Sequence, residues 1–131
     1  MDKRFKNKVE LELAVGFYDS GVAHADQGNF VQSIADFTKV IVLNPNVPEV
    51  YYNRAIAYTK VGNLVQAIED FTKVIELNPN NPAGYHNRAV CLYHLKEYDR
   101  AWGDVRKAEE LGAKGNPELI QMLKKATGDI R

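Results

Sequence analysis

The sequence has little that would tie it to one particular chemistry. Its 131 residues include a single cysteine, Cys91, which excludes an internal disulfide and leaves the redox compartment open. Seventeen basic residues balance 17 acidic ones, so no overall charge draws the chain to nucleic acid or to an anionic membrane surface. No apolar run approaches the roughly 20 residues that a transmembrane helix needs, and the opening stretch MDKRFKNKVELEL lacks the apolar core of a signal peptide. We therefore expect a cytoplasmic protein, or one that has lost a targeting segment, with neither nucleic acid nor membrane as a partner.

Catalytic and cofactor motifs are also lacking. The sequence contains no phosphate-binding loop, no nucleophile elbow and no zinc-protease motif. His86, Cys91 and His94 lie close together in sequence, but His86 and His94 would be separated by about 12 Å along a helix, too far to share one ion. We expect no enzymatic activity, no cofactor and no metal site.

What the sequence does contain is an internal repeat. Residues 63–80, NLVQAIEDFTKVIELNPN, match residues 29–46, NFVQSIADFTKVIVLNPN, at fourteen of eighteen positions with an offset of 34. A weaker copy at residues 98–113 preserves the spacing. Self-similarity at such a period is typical of solenoids, in which each unit buries its apolar face against its neighbours.

Each unit has the pattern of two amphipathic helices. In the second unit, Tyr51 and Ala55 fall at helical spacing, Gly62 marks a turn, Phe71 lies on the next helix, and Pro79 follows its end. Short links between the helices predict antiparallel pairs. The first unit has the same apolar spacing, and six helices are predicted from the three units together.

A seventh helix is predicted from Asn116 to Ala126. Asn116 is a suitable N-cap, Pro117 fits the first helical position, and the outer face would be polar. Such a helix would cover the exposed face of the last unit, and Trp102 is expected to pack against it. The predicted organisation is one domain, with a lead-in over residues 1–13, units at 14–47, 48–81 and 82–115, and a cap at 116–131.

The recurring residues resemble the tetratricopeptide repeat (TPR) family over residues 14–115. The first unit departs from the family pattern at His24, where a packing aromatic is usual, and at Ser33; the third has Lys96 in place of the glycine and Ala113 in place of the proline. The second unit fills every position, with Tyr51, Ala55, Tyr58, Gly62, Ala67, Phe71 and Pro79. The resemblance implies an all-α solenoid of three helix-turn-helix repeats with a C-terminal capping helix, wound as a right-handed superhelix.

The resemblance also implies a protein-interaction scaffold or adaptor that binds a peptide segment of a partner protein in a concave groove. Asn53 and Asn87 occupy equivalent positions, with Asp19 in the first unit. Because an amide both donates and accepts hydrogen bonds, such a ladder could hold an extended backbone; the alternative is that these amides are simply solvated. The groove-facing positions implied by the family are Tyr18, Asp19, Val22, Asp26, Tyr52, Asn53, Ile56, Lys60, His86, Asn87, Val90, Tyr93 and His94.

Some relatives hold the acidic C-terminal tails of chaperones through a clamp of lysine, arginine and asparagine. The corresponding positions here are Tyr18, Val22, Asn53, Ala83 and Asn87. Only one of the five has the residue type that the clamp uses. Without cations there are no charge-assisted hydrogen bonds to a terminal carboxylate, and the sequence disfavours chaperone tails as partners.

Two further alternatives concern charge and assembly. Arg54 and Arg88 could form a charged recognition strip, but the recurrence of Asp36, Asp70 and Asp104 on the second helices favours ion pairs that tie helices together. The alternative function is self-association, in which residues 1–13 or the cap of one chain occupy a neighbour's groove or stack on its end to form a homo-oligomer.

Overall fold

The computed structural model describes residues 5–128, and all regular secondary structure in this range is α-helical. Its helices are α1 (Lys8–Asp26), α2 (Phe30–Leu43), α3 (Pro48–Lys60), α4 (Leu64–Leu77), α5 (Pro82–His94), α6 (Tyr98–Glu110) and α7 (Pro117–Thr127). The predicted all-α class and seven helices are confirmed for this range. Residues 1–4 of the predicted lead-in and 129–131 of the predicted cap lie outside it. No helix in the described range combines the length and apolar character needed to cross a membrane.

The helices form a solenoid of stacked pairs. The closest packing lies within the pairs α1–α2, α3–α4 and α5–α6, and each pair then packs on the next through α2 against α3 and α4 against α5. Small residues allow the close approach within a pair, because Gly21, Ala55 and Ala89 are all buried. A Cβ atom on Gly21 would lie only 2.6 Å from Cε1 of Phe37, so this position has no room for a side chain.

The last pair is covered by α7, as predicted. Leu119 and Leu123 of α7 are buried in one cluster with Trp102 and Leu92, and Trp102 is only 2% exposed. The Asn116 side chain accepts hydrogen bonds from the backbone N–H groups of Glu118 and Leu119 at the start of the helix.

The three turns within the pairs have the same backbone geometry. Gly28, Gly62 and Lys96 all have positive φ, at 77°, 81° and 64°. In each turn the next residue donates its N–H to the carbonyl five residues earlier, at 2.8–2.9 Å. Lys96 therefore adopts the left-handed conformation without being a glycine, which is a strained arrangement for a residue with a Cβ.

Buried ion pairs join the helices. Nε and Nη2 of Arg54 donate to the two carboxylate oxygens of Asp70, both at 2.8 Å, and Nη1 donates to Thr38 at 3.1 Å. Arg54 on α3 is thus bound to α4 and to α2 of the preceding pair. Arg88 on α5 makes the corresponding bonds to Asp104, at 2.7 Å, and to Thr72, at 3.1 Å. The predicted structural role of these arginines is confirmed.

The first pair holds its carboxylate differently. Oδ2 of Asp36 accepts from Ser20 at 2.9 Å and lies 2.7 Å from Nδ1 of His24. His24 stands where the family pattern has a packing aromatic, and its ring binds the carboxylate that arginines bind in the other pairs. Burial acts to raise the pKa of Asp36, but hydrogen bonds from His24, Ser20 and Gln32 outweigh it and lower the pKa below its ordinary value.

We predict that Lys96→Gly stabilises the protein by about 0.5–1 kcal/mol. Relief of left-handed strain, worth about 1–2 kcal/mol, is partly offset by the roughly 0.5–1 kcal/mol entropic cost of fixing a glycine. Urea unfolding followed by circular dichroism measures the change. The matched variant is Gly62→Lys, at a position where a Cβ would meet open space; it should lose stability. Equal shifts of both variants in one direction would contradict the strain argument.

We predict that the free energy of unfolding depends on acid pH partly through Asp36. Because the folded pKa is lowered, this group stabilises the protein fully above its unfolded pKa of about 3.9 and loses that contribution as the pH falls through the folded pKa. Urea unfolding of wild type and Asp36→Asn across this range should give a smaller loss of stability on acidification for the variant. Glu69→Gln, an exposed carboxylate on α4, is the control and should leave the dependence unchanged. A parallel dependence for Asp36→Asn and wild type would refute the assignment.

Candidate binding groove

Three connected cavities form a groove along α1, α3 and α5. Their volumes are about 330, 420 and 460 Å³ from the α1 end to the α7 end. The first two share Tyr18 and Asn53, and the second and third share Tyr52, Asn81 and Ala83. The shared residues make the three cavities one continuous surface, which we call the groove.

The groove brings together most of the residues that the family resemblance singled out. Asp19, Lys60 and His94 are exposed outside the three cavities, whereas Val90 and Tyr93 pack against the core of the last pair. The predicted residues that line the cavities are Tyr18, Val22, Asp26, Tyr52, Asn53, Ile56, His86 and Asn87.

Two tyrosine–asparagine couples lie in the groove, each spanning two neighbouring pairs. Nδ2 of Asn53 donates to the Tyr18 hydroxyl at 2.9 Å, and Nδ2 of Asn87 donates to the Tyr52 hydroxyl at 3.2 Å. Asn87 also donates to the carbonyl of Ala83, at 2.9 Å, which fixes the orientation of its amide. The tyrosine rings pack edgewise or tilted on Phe37 and Phe71, so the hydroxyls are held in place.

Each couple keeps at least one donor and one acceptor for a ligand in the groove, and Asn53 also keeps its second amide N–H. A tyrosine hydroxyl that accepts from an amide retains its own proton, and the asparagine Oδ1 has no hydrogen-bond partner among residues 5–128. One peptide unit of an extended chain offers the complementary set, an N–H and a C=O. The couples are therefore suited to bind backbone irrespective of side chains.

The structure adds groove residues that the sequence reasoning missed. Pro48 and Glu49 begin α3, Asn78 and Asn81 come from the link before α5, and Lys114 precedes α7. These residues lie at helix starts and in links, whereas the family register considers only positions along the first helices. The repeat offset of 34 residues could have identified some of these residues, because Pro48 and Pro82 occupy equivalent positions and both line the groove.

The cysteine of α5 is buried inside the stack. Cys91 is 1% exposed and contacts the Thr59 hydroxyl at 3.7 Å. Burial raises the pKa of the Cys91 thiol, although the contact with Thr59 opposes this effect, so the less reactive protonated form is favoured. Within residues 5–128, no three His, Cys, Asp or Glu side chains are grouped to hold a metal.

Family models described as tetratricopeptide repeat match residues 48–81 and 71–103, and one described as TPR repeat matches residues 21–62. Together these matches run without a gap from the end of α1 into α6. The chain belongs to the tetratricopeptide repeat family. No curated protein sequence matches it significantly.

Solved TPR structures are similar to this chain over nearly its whole length. The Arabidopsis OM64 TPR domain is 25% identical, with a TM-score of 0.80 and coverage of 92% of this chain and 99% of that one. The TPR2B domain of yeast Sti1, in its pHsp70 complex, is 26% identical, with a TM-score of 0.77 and coverage of 89% and 98%. The first TPR of Spaghetti (RPAP3), bound to the HSP90 peptide SRMEEVD, is 23% identical, with a TM-score of 0.80 and 97% coverage of both chains.

We predict that Asn53→Ala/Asn87→Ala leaves a folded protein. The variant loses part-buried hydrogen bonds that contribute about 0.5–1.5 kcal/mol each, so we expect a lower urea midpoint, an unchanged helical circular-dichroism spectrum and a cooperative transition. Asn46→Ala/Asn80→Ala, at exposed positions that are also 34 residues apart, is the control and should keep the wild-type midpoint. Loss of cooperative unfolding in the groove variant would show that the couples are required for folding.

Proposed function

We propose that this chain is a protein-interaction module that holds an extended segment of a partner protein in the groove. The observation that carries the proposal is the pair of tyrosine–asparagine couples, which repeat along one continuous surface and each keep one donor and one acceptor for a peptide backbone. Two equivalent couples on successive pairs suit a ligand that is itself periodic, as an extended chain is.

The comparisons support this proposal. The Sti1 TPR2B domain is described in complex with pHsp70, so a similar solenoid accommodates a protein ligand. Arg54 and Arg88 are not free to bind such a ligand, because their guanidinium groups are bound to Asp70 and Asp104 inside the stack. Recognition in the groove is therefore left to its lining residues, which are tyrosine, asparagine, apolar side chains and the charged residues Asp26, Glu49 and Lys114.

A second candidate is self-association through the first pair. Val31 and Val42 of α2 are 73% and 79% exposed, and Leu13 of α1 is 47% exposed. Leu13, Phe17 and Val42 line a further cavity of about 270 Å³. The second and third pairs carry Glu76 and Glu110 where the first has Val42, so at this position only the first pair exposes an apolar side chain.

Affinity capture from a lysate of the source organism tests the proposed function. Wild type, Asn53→Ala/Asn87→Ala and Asn46→Ala/Asn80→Ala serve as parallel baits, with captured proteins identified by mass spectrometry. We expect wild type and Asn46→Ala/Asn80→Ala to retain at least one protein that Asn53→Ala/Asn87→Ala does not retain. A captured set that is the same for all three baits would place binding outside the groove and contradict the proposal.

Light scattering over a range of protein concentrations tests the second candidate, self-association. Self-association through the first pair predicts a mass that rises with concentration and falls back to that of one chain in Val31→Lys/Val42→Lys. A constant monomer mass for wild type would remove this candidate.

A further inference from the structure

The charges around the groove are unevenly distributed. Asp26 lines the first cavity and Glu49 lines the second, and neither of these two cavities has a basic lining residue. Outside the cavities, Asp19 on α1 and Lys60 on α3 are both exposed. None of the three carboxylates forms an ion pair with another described residue. The half of the groove formed by α1 and α3 is therefore acidic.

The other half has the opposite character. The third cavity is lined by Lys114 and His86 and has no acidic lining residue. Because the whole chain carries no net charge, this separation is a local property of the groove and not a consequence of overall composition. A ligand that lies along the groove meets carboxylates at the α1–α3 half and a cation near α7.

We infer that the groove selects a segment with lysine or arginine side chains over the α1–α3 half. This inference rests on the proposed function and adds the chemistry of its partner. The carboxylates of Asp26 and Glu49 are free to accept charge-assisted hydrogen bonds, and the rings of Tyr18 and Tyr52 line the same cavities as faces for a cation. Acidic segments are repelled by the same carboxylates, while the couples hold the backbone of either kind.

Selection from a displayed library of short random peptides tests the inference. The proteins compared are wild type, the couple variant Asn53→Ala/Asn87→Ala and the charge variant Asp19→Lys/Asp26→Lys/Glu49→Lys. The matched control is Glu69→Lys/Glu76→Lys/Glu110→Lys, which makes the same change in net charge at exposed positions on α4 and α6. Enriched peptides are then synthesised and their affinities are measured by fluorescence anisotropy at low and high salt.

We expect wild type and the matched control to enrich peptides with lysine or arginine. The charge variant should bind these peptides at least about tenfold more weakly, and the difference should shrink at high salt. The couple variant should also bind them weakly, because the backbone contacts are lost.

The two proposals fail in different ways. If the enriched peptides depend on Asn53 and Asn87 but are acidic or uncharged, the proposed function stands and the charge inference is overturned. If basic peptides bind all four proteins equally, attraction is not at the groove and the charge inference is likewise overturned. If no peptide is enriched above background, the groove does not hold short segments and both proposals are overturned.

Discussion

The structure depends on a carboxylate that is buried at the same position in the second helix of each pair. Asp36, Asp70 and Asp104 are each less than 10% exposed, and a buried carboxylate without partners would strongly destabilise the fold. The partner therefore has to come from the neighbouring first helix. In the second and third pairs an arginine supplies it and also reaches a threonine of the pair before, so one side chain sets the geometry of three helices. The threonine is satisfied as well, because its hydroxyl donates to its own helix while it accepts from the arginine.

The first pair meets this requirement with other residues. Arg54 and Arg88 also bond to a helix of the preceding pair, whereas a serine stands at the equivalent position of α1 and the donors to Asp36 come from within the first pair. Ser20 and His24, one turn apart on α1, provide them. The contact between α6 and α7 differs in another way. It is formed by Trp102, Leu119 and Leu123, and no ion pair joins α6 to α7 within the described residues.

The sequence was sufficient for the fold and for part of the groove. Three signals in the sequence are local or evenly spaced. The repeat of 34 residues predicts the solenoid, helical periodicity predicts the helices, and the recurring arginines and aspartates predict the ion pairs that the structure contains. The tyrosine–asparagine couples were not predicted, because they join residues 35 apart on adjacent first helices and depend on how one pair is rotated on the next. The role of His24 was missed for a related reason. The family pattern has a packing aromatic at this position. His24 instead binds Asp36, because position 20 is a serine and not the arginine that binds the carboxylate in the other pairs.

The arginine–threonine bonds also give the stack a direction. The first pair offers the acceptor Thr38 but has serine where the arginine would stand, the second offers both Arg54 and Thr72, and the third offers Arg88 but has Arg106 at the threonine position. In the language of polymer chemistry, the three units are an initiator, a propagating unit and a terminator. Only the second is complementary to itself, so a longer solenoid of this kind would grow by duplication of its middle unit and not by addition at either end.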